Sequence, residues 1–204
     1  MKNRACFGKV GWAFILFVFL LAGCGSTPPV KYYTLNTLPE MQQGNIGVVA
    51  PDNIAIGLGP VEFPKSLDRP QIVTRKSQNV IEVSEFHRWA SSLKGDFLRV
   101  LAKNIAVLLP ASRVAAYPWG DQFSPTYRVK LDVEQFDGVL AEHVLLNVTW
   151  SVVDQEGVNE LVVKNSIIKE AVADKSYEAL VAAESQALAT LSQEIVNGIV
   201  GLKE

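Results

Sequence analysis

The break at Cys24 decides which residues can belong to the fold. Before it stand a basic stretch, an apolar run over residues 12–21 and the small residues Ala22 and Gly23, which is the order of a secretory signal peptide. As a helix, the apolar run of about ten residues would be roughly 15 Å long, half of what a bilayer core requires. A removable leader therefore explains this run better than a permanent membrane-anchoring helix. We predict that residues 1–23 are a signal peptide with no place in the fold.

The residues around the cysteine, "LAGC" at positions 21–24, resemble the bacterial lipobox. In lipoproteins with this motif the thiol receives a diacylglyceryl group, a peptidase cuts before the cysteine, and the new amine is acylated, commonly with palmitate. A thiol is the soft nucleophile that this alkylation needs, and small neighbours give a peptidase access to the backbone. Cys24 is the predicted lipid-attachment residue. Apart from these covalent lipids we expect no cofactor.

The residues after Cys24 predict where the lipoprotein goes and how it is held. In the lipoproteins that it resembles, Asp at the next position retains the product in the inner membrane. Gly25 stands there instead, which implies the periplasmic face of the outer membrane. Residues 24–30 combine Gly and Ser with Pro28 and Pro29, so we expect a short, partly extended lipidated tether.

Charge and cysteine content exclude several classes of partner and site. Without the leader the chain keeps 16 of its 19 basic residues and all 21 acidic ones. A mildly acidic body argues against binding to nucleic acid, which needs clustered Lys and Arg. Because Cys6 and Cys24 are the only cysteines, the body has no disulfide and no thiolate metal site.

Alternating apolar residues predict a sheet over much of residues 31–204, which we treat as one domain. Strands are expected at 31–35 and 53–64, and a hairpin at 71–86 turns near Gln78 and Asn79. Segments 126–138, 143–157 and 160–172 are joined by short turns and should form an antiparallel meander with one wet face.

Two helical stripes complete the prediction. The first runs from about Ser84, the expected N-cap, through Trp89 to Leu109; the second runs from about Ser176 to Leu202 and is interrupted by Glu184. The predicted fold class is α+β: a single domain with a mostly antiparallel sheet and two main helices on one face.

Catalytic and ligand-binding patterns are weak in this chain. His87 and His143 have no zinc-binding spacing, and there is no GxSxG nucleophile turn. Gly57 and Gly59 could suggest a phosphate loop, but a strand end with turn glycines explains them better. We predict no metal site and no catalytic residue. Trp89 and Trp150 lie on apolar stripes and read as core, whereas Trp119, in the loop "YPWGDQFSP", is a candidate partner contact.

The order of several motifs resembles the ABC-type transport auxiliary lipoprotein family, whose members include PqiC-like proteins. A strand pattern that recurs in this family is carried here by Ile54, Ile56, Val61, Pro64, Leu67, Arg69, Pro70, Ile72 and Val73. Its arginine–tryptophan–alanine signature at the first helix matches Arg88, Trp89 and Ala90, although the acidic residue that often follows is Ser91. The resemblance covers essentially all of the mature chain.

The resemblance implies a non-enzymatic subunit of an intermembrane lipid transport system. Such a lipoprotein would dock the periplasmic end of an MCE-domain membrane protein and support envelope integrity. Whether it forms a homo-oligomer stays open. Arg88, within the signature, joins Trp119 as a candidate contact. Two alternatives stay open: a lipoprotein that itself binds a lipid or another apolar ligand, and a small envelope hydrolase that uses a histidine base.

Replacement of the cysteine tests the anchor directly. Cys24→Ala should leave an unprocessed precursor that no longer fractionates with the outer membrane, because both lipidation and cleavage depend on the thiol. Immunoblots of membrane fractions measure both effects. A mature-size product from this variant would show that Cys24 is not the attachment residue.

Overall fold

Eight strands and two long helices make up the part of the chain that this computed structural model describes, residues 27–38 and 54–203. The strands are β1 (Lys31–Tyr33), β2 (Ala55–Glu62), β3 (Gln71–Ser77), β4 (Val80–Trp89), β5 (Arg113–Ala116), β6 (Tyr127–Val139), β7 (His143–Val153) and β8 (Glu160–Ala171). The helices are α1 (Leu93–Leu108) and α2 (Tyr177–Val200), and a 3-10 turn follows at Gly201–Lys203. The leader, Cys24 and residues 39–53 lie outside the described residues.

The larger sheet has five strands in the order β5-β2-β6-β7-β8. Strands β6, β7 and β8 form the predicted antiparallel meander. Strand β2 is instead parallel to both of its neighbours, β5 and β6. The four residues of β5 were not predicted as a strand, because so short a segment shows no alternation and depends on pairing with β2.

The alternation of β6 has the predicted effect on burial. Val129, Leu131 and Val133 are buried, whereas the side chains between them are exposed. Helix α1 covers the β2 and β5 side of this face, and α2 covers β6, β7 and β8. The two helices therefore lie side by side on the dry face, as predicted.

A second sheet of three strands has the order β1-β4-β3. Strands β3 and β4 form the predicted hairpin, with Gln78 and Asn79 at its turn. Strand β1 adds to β4 in parallel, and β3 contacts β6 of the larger sheet. The α+β single-domain prediction is confirmed, with both sheets mixed.

The predicted start of the first helix is wrong. Residues up to Trp89 belong to β4, and α1 begins only at Leu93, with Ser92 as its N-cap. Trp89 is buried as expected, but at the end of a strand. Ser84 does not cap a helix; its hydroxyl accepts a hydrogen bond from the His87 amide at 3.1 Å. Pairing of β4 with both β1 and β3 outweighs the helical spacing that happens to connect Trp89 with Leu93.

The second helix begins where predicted. The Ser176 hydroxyl accepts a hydrogen bond from the Ala179 amide at 3.1 Å, which caps the helix. Its stripe is buried at Leu180, Leu188, Leu191, Ile195 and Ile199. Trp150 of β7 is also fully buried and lies against this helix at Gly198, where an added Cβ would come within 2.8 Å of the indole ring.

A pair of glycine substitutions tests this contact. Gly198→Ala should lower the free energy of unfolding by about 1–3 kcal/mol, because the clash with Trp150 outweighs the gain of up to about 1 kcal/mol in helix propensity. Gly95→Ala in α1 is the matched control: the nearest atom to its added Cβ would be Ser92 Cβ at 3.8 Å, so this variant should keep the propensity gain. Urea unfolding measures both, and equal effects would contradict the packing.

Candidate docking surfaces

The loop that carries Trp119 folds back over the outer face of the larger sheet. An added Cβ at Gly57 of β2 would lie 2.8 Å from the indole ring, so this glycine leaves room for the tryptophan. Tyr117 packs edge-on against the same ring, with centroids 5.5 Å apart. Trp119 is therefore half-buried, and Tyr117 is the more exposed aromatic residue of the loop.

Arg88 lies in β4, the central strand of the smaller sheet, opposite Tyr32 and Gln71. Its side chain is half-buried, and its Nε has no hydrogen-bond partner within residues 27–38 and 54–203. Because Trp119 covers the other sheet, the structure does not bring the two candidate contact residues together. A role for each at an interface stays a prediction.

His87 is held in an aromatic stack. Its ring lies parallel to that of Tyr177 at 3.9 Å, and its Nδ1 lies 2.7 Å from the Tyr33 hydroxyl. Burial lowers the pKa of His87, and nearby Lys31 lowers it further. The histidine thus joins β1, β4 and the start of α2. His143, at the start of β7, lies 3.9 Å from the Glu142 carboxylate.

In the described part of the chain, no group of three or more His, Cys, Asp or Glu side chains is arranged to hold a metal ion. There too, no helix is long and apolar enough to cross a bilayer.

The segment after β1 is fixed to both helices. The Thr34 hydroxyl donates to Asp96 Oδ2 at 3.0 Å, and the Leu38 amide donates to Asn104 Oδ1 at 2.8 Å, both on α1. The Asn36 amide donates to the Ser185 hydroxyl of α2 at 3.0 Å, and the Leu35 side chain is buried. The tether therefore enters the domain at a fixed point.

The two sheets are joined by a charged contact. Arg75 of β3 donates through Nη2 and Nε to the two carboxylate oxygens of Asp137 on β6, at 2.7 and 3.1 Å. Gln135 donates to the same carboxylate at 2.7 Å. This two-point contact fixes the β3–β4 hairpin against the larger sheet.

A buried carboxyl group faces this contact from α2. Glu184 is only 1% exposed, and its Oε2 has no hydrogen-bond partner among the described residues. Burial raises the pKa of Glu184 well above its ordinary value, and the nearby Asp137 carboxylate raises it further. The side chain that interrupted the predicted apolar stripe is therefore buried in surroundings that favour its neutral form.

Most of the exposed large apolar side chains fall into two groups. The smaller-sheet surface consists of Val30, Tyr32, Val80, Ile81 and Val83, on β1 and the residue before it and on the β3–β4 hairpin. The β8 surface consists of Val158, Leu161, Val163 and Ile167, on β8 and the turn before it. Exposed apolar groups of this kind mark binding surfaces more often than scattered single residues do.

The β8 surface lies on the last strand of the larger sheet. Ile167, 68% exposed, and Val163 flank a ladder in which Asn165 donates to Asn147, and Asn147 donates to Glu134 at 2.6 Å. Because β8 ends the sheet order, one side of its twelve residues has no strand partner in the described chain. An open edge of this length is a template for pairing with another chain.

The sequence contains a signal for this surface, in positions where the apolar–polar alternation of β8 is broken. Two apolar doublets, Val162–Val163 and Ile167–Ile168, interrupt the alternation of β8. In each doublet one side chain must leave the core-facing side of the strand. In the β3–β4 hairpin, the doublet Val80–Ile81 likewise places one aliphatic side chain on each face.

A groove of about 600 Å³ lies beside β1 and the first turns of α2. Lys31, Asn36 and Glu178 line it together with Tyr32 and Val181. Charged and polar walls suit a lipid chain poorly. The groove therefore gives little support to the alternative of a lipid carrier.

The sequence matches a known protein family. The model described as the ABC-type transport auxiliary lipoprotein component covers residues 33–196. No curated protein matches the chain significantly.

Two solved structures resemble the fold closely. One is a crystal structure of an uncharacterized protein, with a TM-score of 0.69 and 20% identity, over 84% of this chain and 99% of that one. The other is a protein from Xanthomonas campestris of family DUF330, with a TM-score of 0.67 and 14% identity, over 85% of this chain and 97% of that one. At these identities the likeness establishes the fold alone.

The buried carboxyl group predicts a pH dependence of stability. A carboxyl whose folded pKa is raised contributes full stability below its ordinary pKa of 4.5 and loses it as pH rises through the folded pKa. Glu184→Gln has a neutral side chain at every pH. Its free energy of unfolding relative to wild type should therefore rise by up to about 1.4 kcal/mol per pH unit within that window.

Urea unfolding at about pH 5 and about pH 8 measures this difference. Glu178→Gln, at an exposed position of the same helix, is the control and should differ from wild type equally at both pH values. If the difference in unfolding free energy between Glu184→Gln and wild type is also the same at both pH values, Glu184 is not held neutral.

Proposed function

Because the chain belongs to the ABC-type transport auxiliary lipoprotein family, we propose that it is the outer-membrane subunit of an MCE-type intermembrane lipid transport system. In this role, lipid chains on Cys24 hold the domain at the periplasmic face of the outer membrane. The domain docks the periplasmic end of the MCE-domain protein and so supports the integrity of the envelope. Its contribution is binding rather than catalysis.

The observation that carries the proposal is the β8 surface. A partner strand placed along the open edge of β8 would satisfy its free backbone groups, and contacts with the side chains of β8 beside that edge would give specificity. Val163 and Ile167 lie where they would contact that partner, and the ladder through Asn147 and Asn165 would supply polar contacts beside them. Apolar anchors with adjacent polar groups are the usual composition of a specific interface.

The described chemistry supports binding more than hydrolysis. His87, which a hydrolase would need as a base, is stacked on Tyr177 and bonded to Tyr33. A histidine in that arrangement positions secondary structure. His143 lies beside Glu142 at the end of the sheet, where the neighbouring side chains of β7 are Val144 and Leu145.

A homo-oligomer is compatible with the proposal only if its copies leave the edge of β8 free for the partner. Copies that pair through β8 would compete with the MCE protein for the same edge, whereas copies that meet through other surfaces would leave it open. Light scattering of the purified lipoprotein, with and without its partner, separates these arrangements.

Capture of the partner tests the docking surface. Full-length lipoprotein in detergent extract should retain the MCE protein, identified by mass spectrometry. Ile167→Asp should weaken capture by about tenfold or more, since a buried isoleucine contributes about 1.5–3 kcal/mol. Tyr117→Asp is the matched control, because it also places a charge at an exposed apolar position but on neither apolar surface.

Failure of the wild-type lipoprotein to capture any MCE protein would contradict the proposed function. Loss of capture with Tyr117→Asp alone would instead move the docking site to the loop of Trp119. Circular dichroism of both variants verifies that the fold is retained.

A further inference from the structure

The smaller-sheet surface contains apolar residues that packing within the domain does not explain. Val80 is 48% exposed, and Ile81 and Val83 are also exposed. Successive residues of a strand point to opposite faces, so Val80 and Ile81 present aliphatic groups on both sides of the hairpin tip. Each face of the tip thus carries an exposed aliphatic side chain beside polar residues such as Lys76 and Glu82.

The direction of β1 brings the tether toward this tip. Strand β1 runs parallel to β4, with Tyr32 level with Arg88. Strand β4 runs from the turn at Gln78 and Asn79 toward that level, so the chain before β1 arrives from the end of the sheet that carries the turn. The next apolar groups along that path, Val30 and Tyr32, are exposed as well.

Distances along the strands show that the anchor can reach the tip. Gln71 of β3 is also level with Arg88. Ser77, at the tip, is six residues after Gln71, a distance of about 20 Å at 3.3 Å per residue. Cys24 precedes Tyr32 by eight residues, which span up to about 26–29 Å when extended. A fully extended tether would thus allow acyl chains on Cys24 to reach the level of the tip or slightly beyond it.

We propose that the tip of the β3–β4 hairpin rests in the interface of the bilayer that holds the anchor, with Val80, Ile81 and Val83 as its contacts. This inference rests on the lipid anchor at Cys24 that the proposed function includes. The occupant is a lipid surface, because an extended lipidated tether can reach the level of the tip and an exposed aliphatic side chain projects from each of its faces.

The contact is apolar rather than electrostatic. Lys76 and Glu82 at the tip are both exposed and of opposite charge, and Arg75 is bound to Asp137. Weak apolar contacts suffice here, because a short tether keeps the local concentration of lipid high. The β7–β8 turn lies about 30 Å from the Arg75–Asp137 contact, at the other end of β6. Val153, just before this turn, pairs with Arg128, and Asp137 follows Arg128 by nine residues along β6.

Two matched cysteine variants test the contact in the full, lipidated chain. Val80→Cys and Val158→Cys each place a thiol beside a hairpin turn at an exposed valine, and Val158 is 76% exposed at the far end of the sheet. The chain's other cysteines are Cys6 of the leader and Cys24, so the new thiol alone takes an environment-sensitive fluorophore. The labelled lipoproteins are reconstituted into vesicles of phosphatidylethanolamine and phosphatidylglycerol.

We expect emission at position 80 to shift to shorter wavelength on reconstitution and to be quenched by doxyl-labelled lipid, also at high salt, whereas position 158 behaves as in water. Equal responses at the two positions, or a shift at position 80 that high salt removes, would overturn the apolar contact. Flotation with the vesicles is measured first. A chain that does not float overturns the anchor and this contact with it, whereas failure to capture an MCE protein bears only on docking.

Discussion

Trp150 stands at the centre of the packing between the larger sheet and α2, because Gly198 has no side chain to keep the two apart. The indole nitrogen donates to the Ser166 hydroxyl of β8 at 2.8 Å, and that hydroxyl donates to Glu194 of α2. One buried aromatic residue therefore fixes β7, β8 and the helix to each other. With the inner face of β8 held in this way, its doublets leave Val163 and Ile167 on the outer face, where the β8 surface forms.

Local periodicity predicted the elements whose burial is one-sided. The alternation of Val129, Leu131 and Val133 indicated the meander correctly, and Ser176 indicated the start of α2. Partners distant in sequence decided the rest: β4 extends to Trp89 because β1 and β3 pair with it, and β5 exists because β2 does. The spacing of Trp89 and Leu93 suits a helix, but nothing local reveals the neighbouring strands that prevent one.

The candidate sites show the same limit. Trp119 stood out as an aromatic residue in a loop, yet the absence of a side chain at Gly57 lets its ring settle on the sheet. The two apolar surfaces were visible only as doublets within strands, and their positions relative to the tether depend on strand direction. Cys24 lies outside the described residues, and its predicted role rests on the lipobox motif. The sequence shows Glu184 only as an interruption of an apolar stripe, because its neighbour in space, Asp137, lies 47 positions earlier.

The attachment of residues 31–38 also has a mechanical meaning. A pull on the N-terminus acts along the axis of β1, which is parallel to β4, so it loads the hydrogen bonds of Lys31–Tyr33 in shear and together rather than one after another. Behind them, Leu35 is buried and the amides of Asn36 and Leu38 are bonded to both helices. Tension arriving through the lipid anchor is thus distributed over the smaller sheet and both helices, and the domain can bear a load without first unravelling from its tethered end.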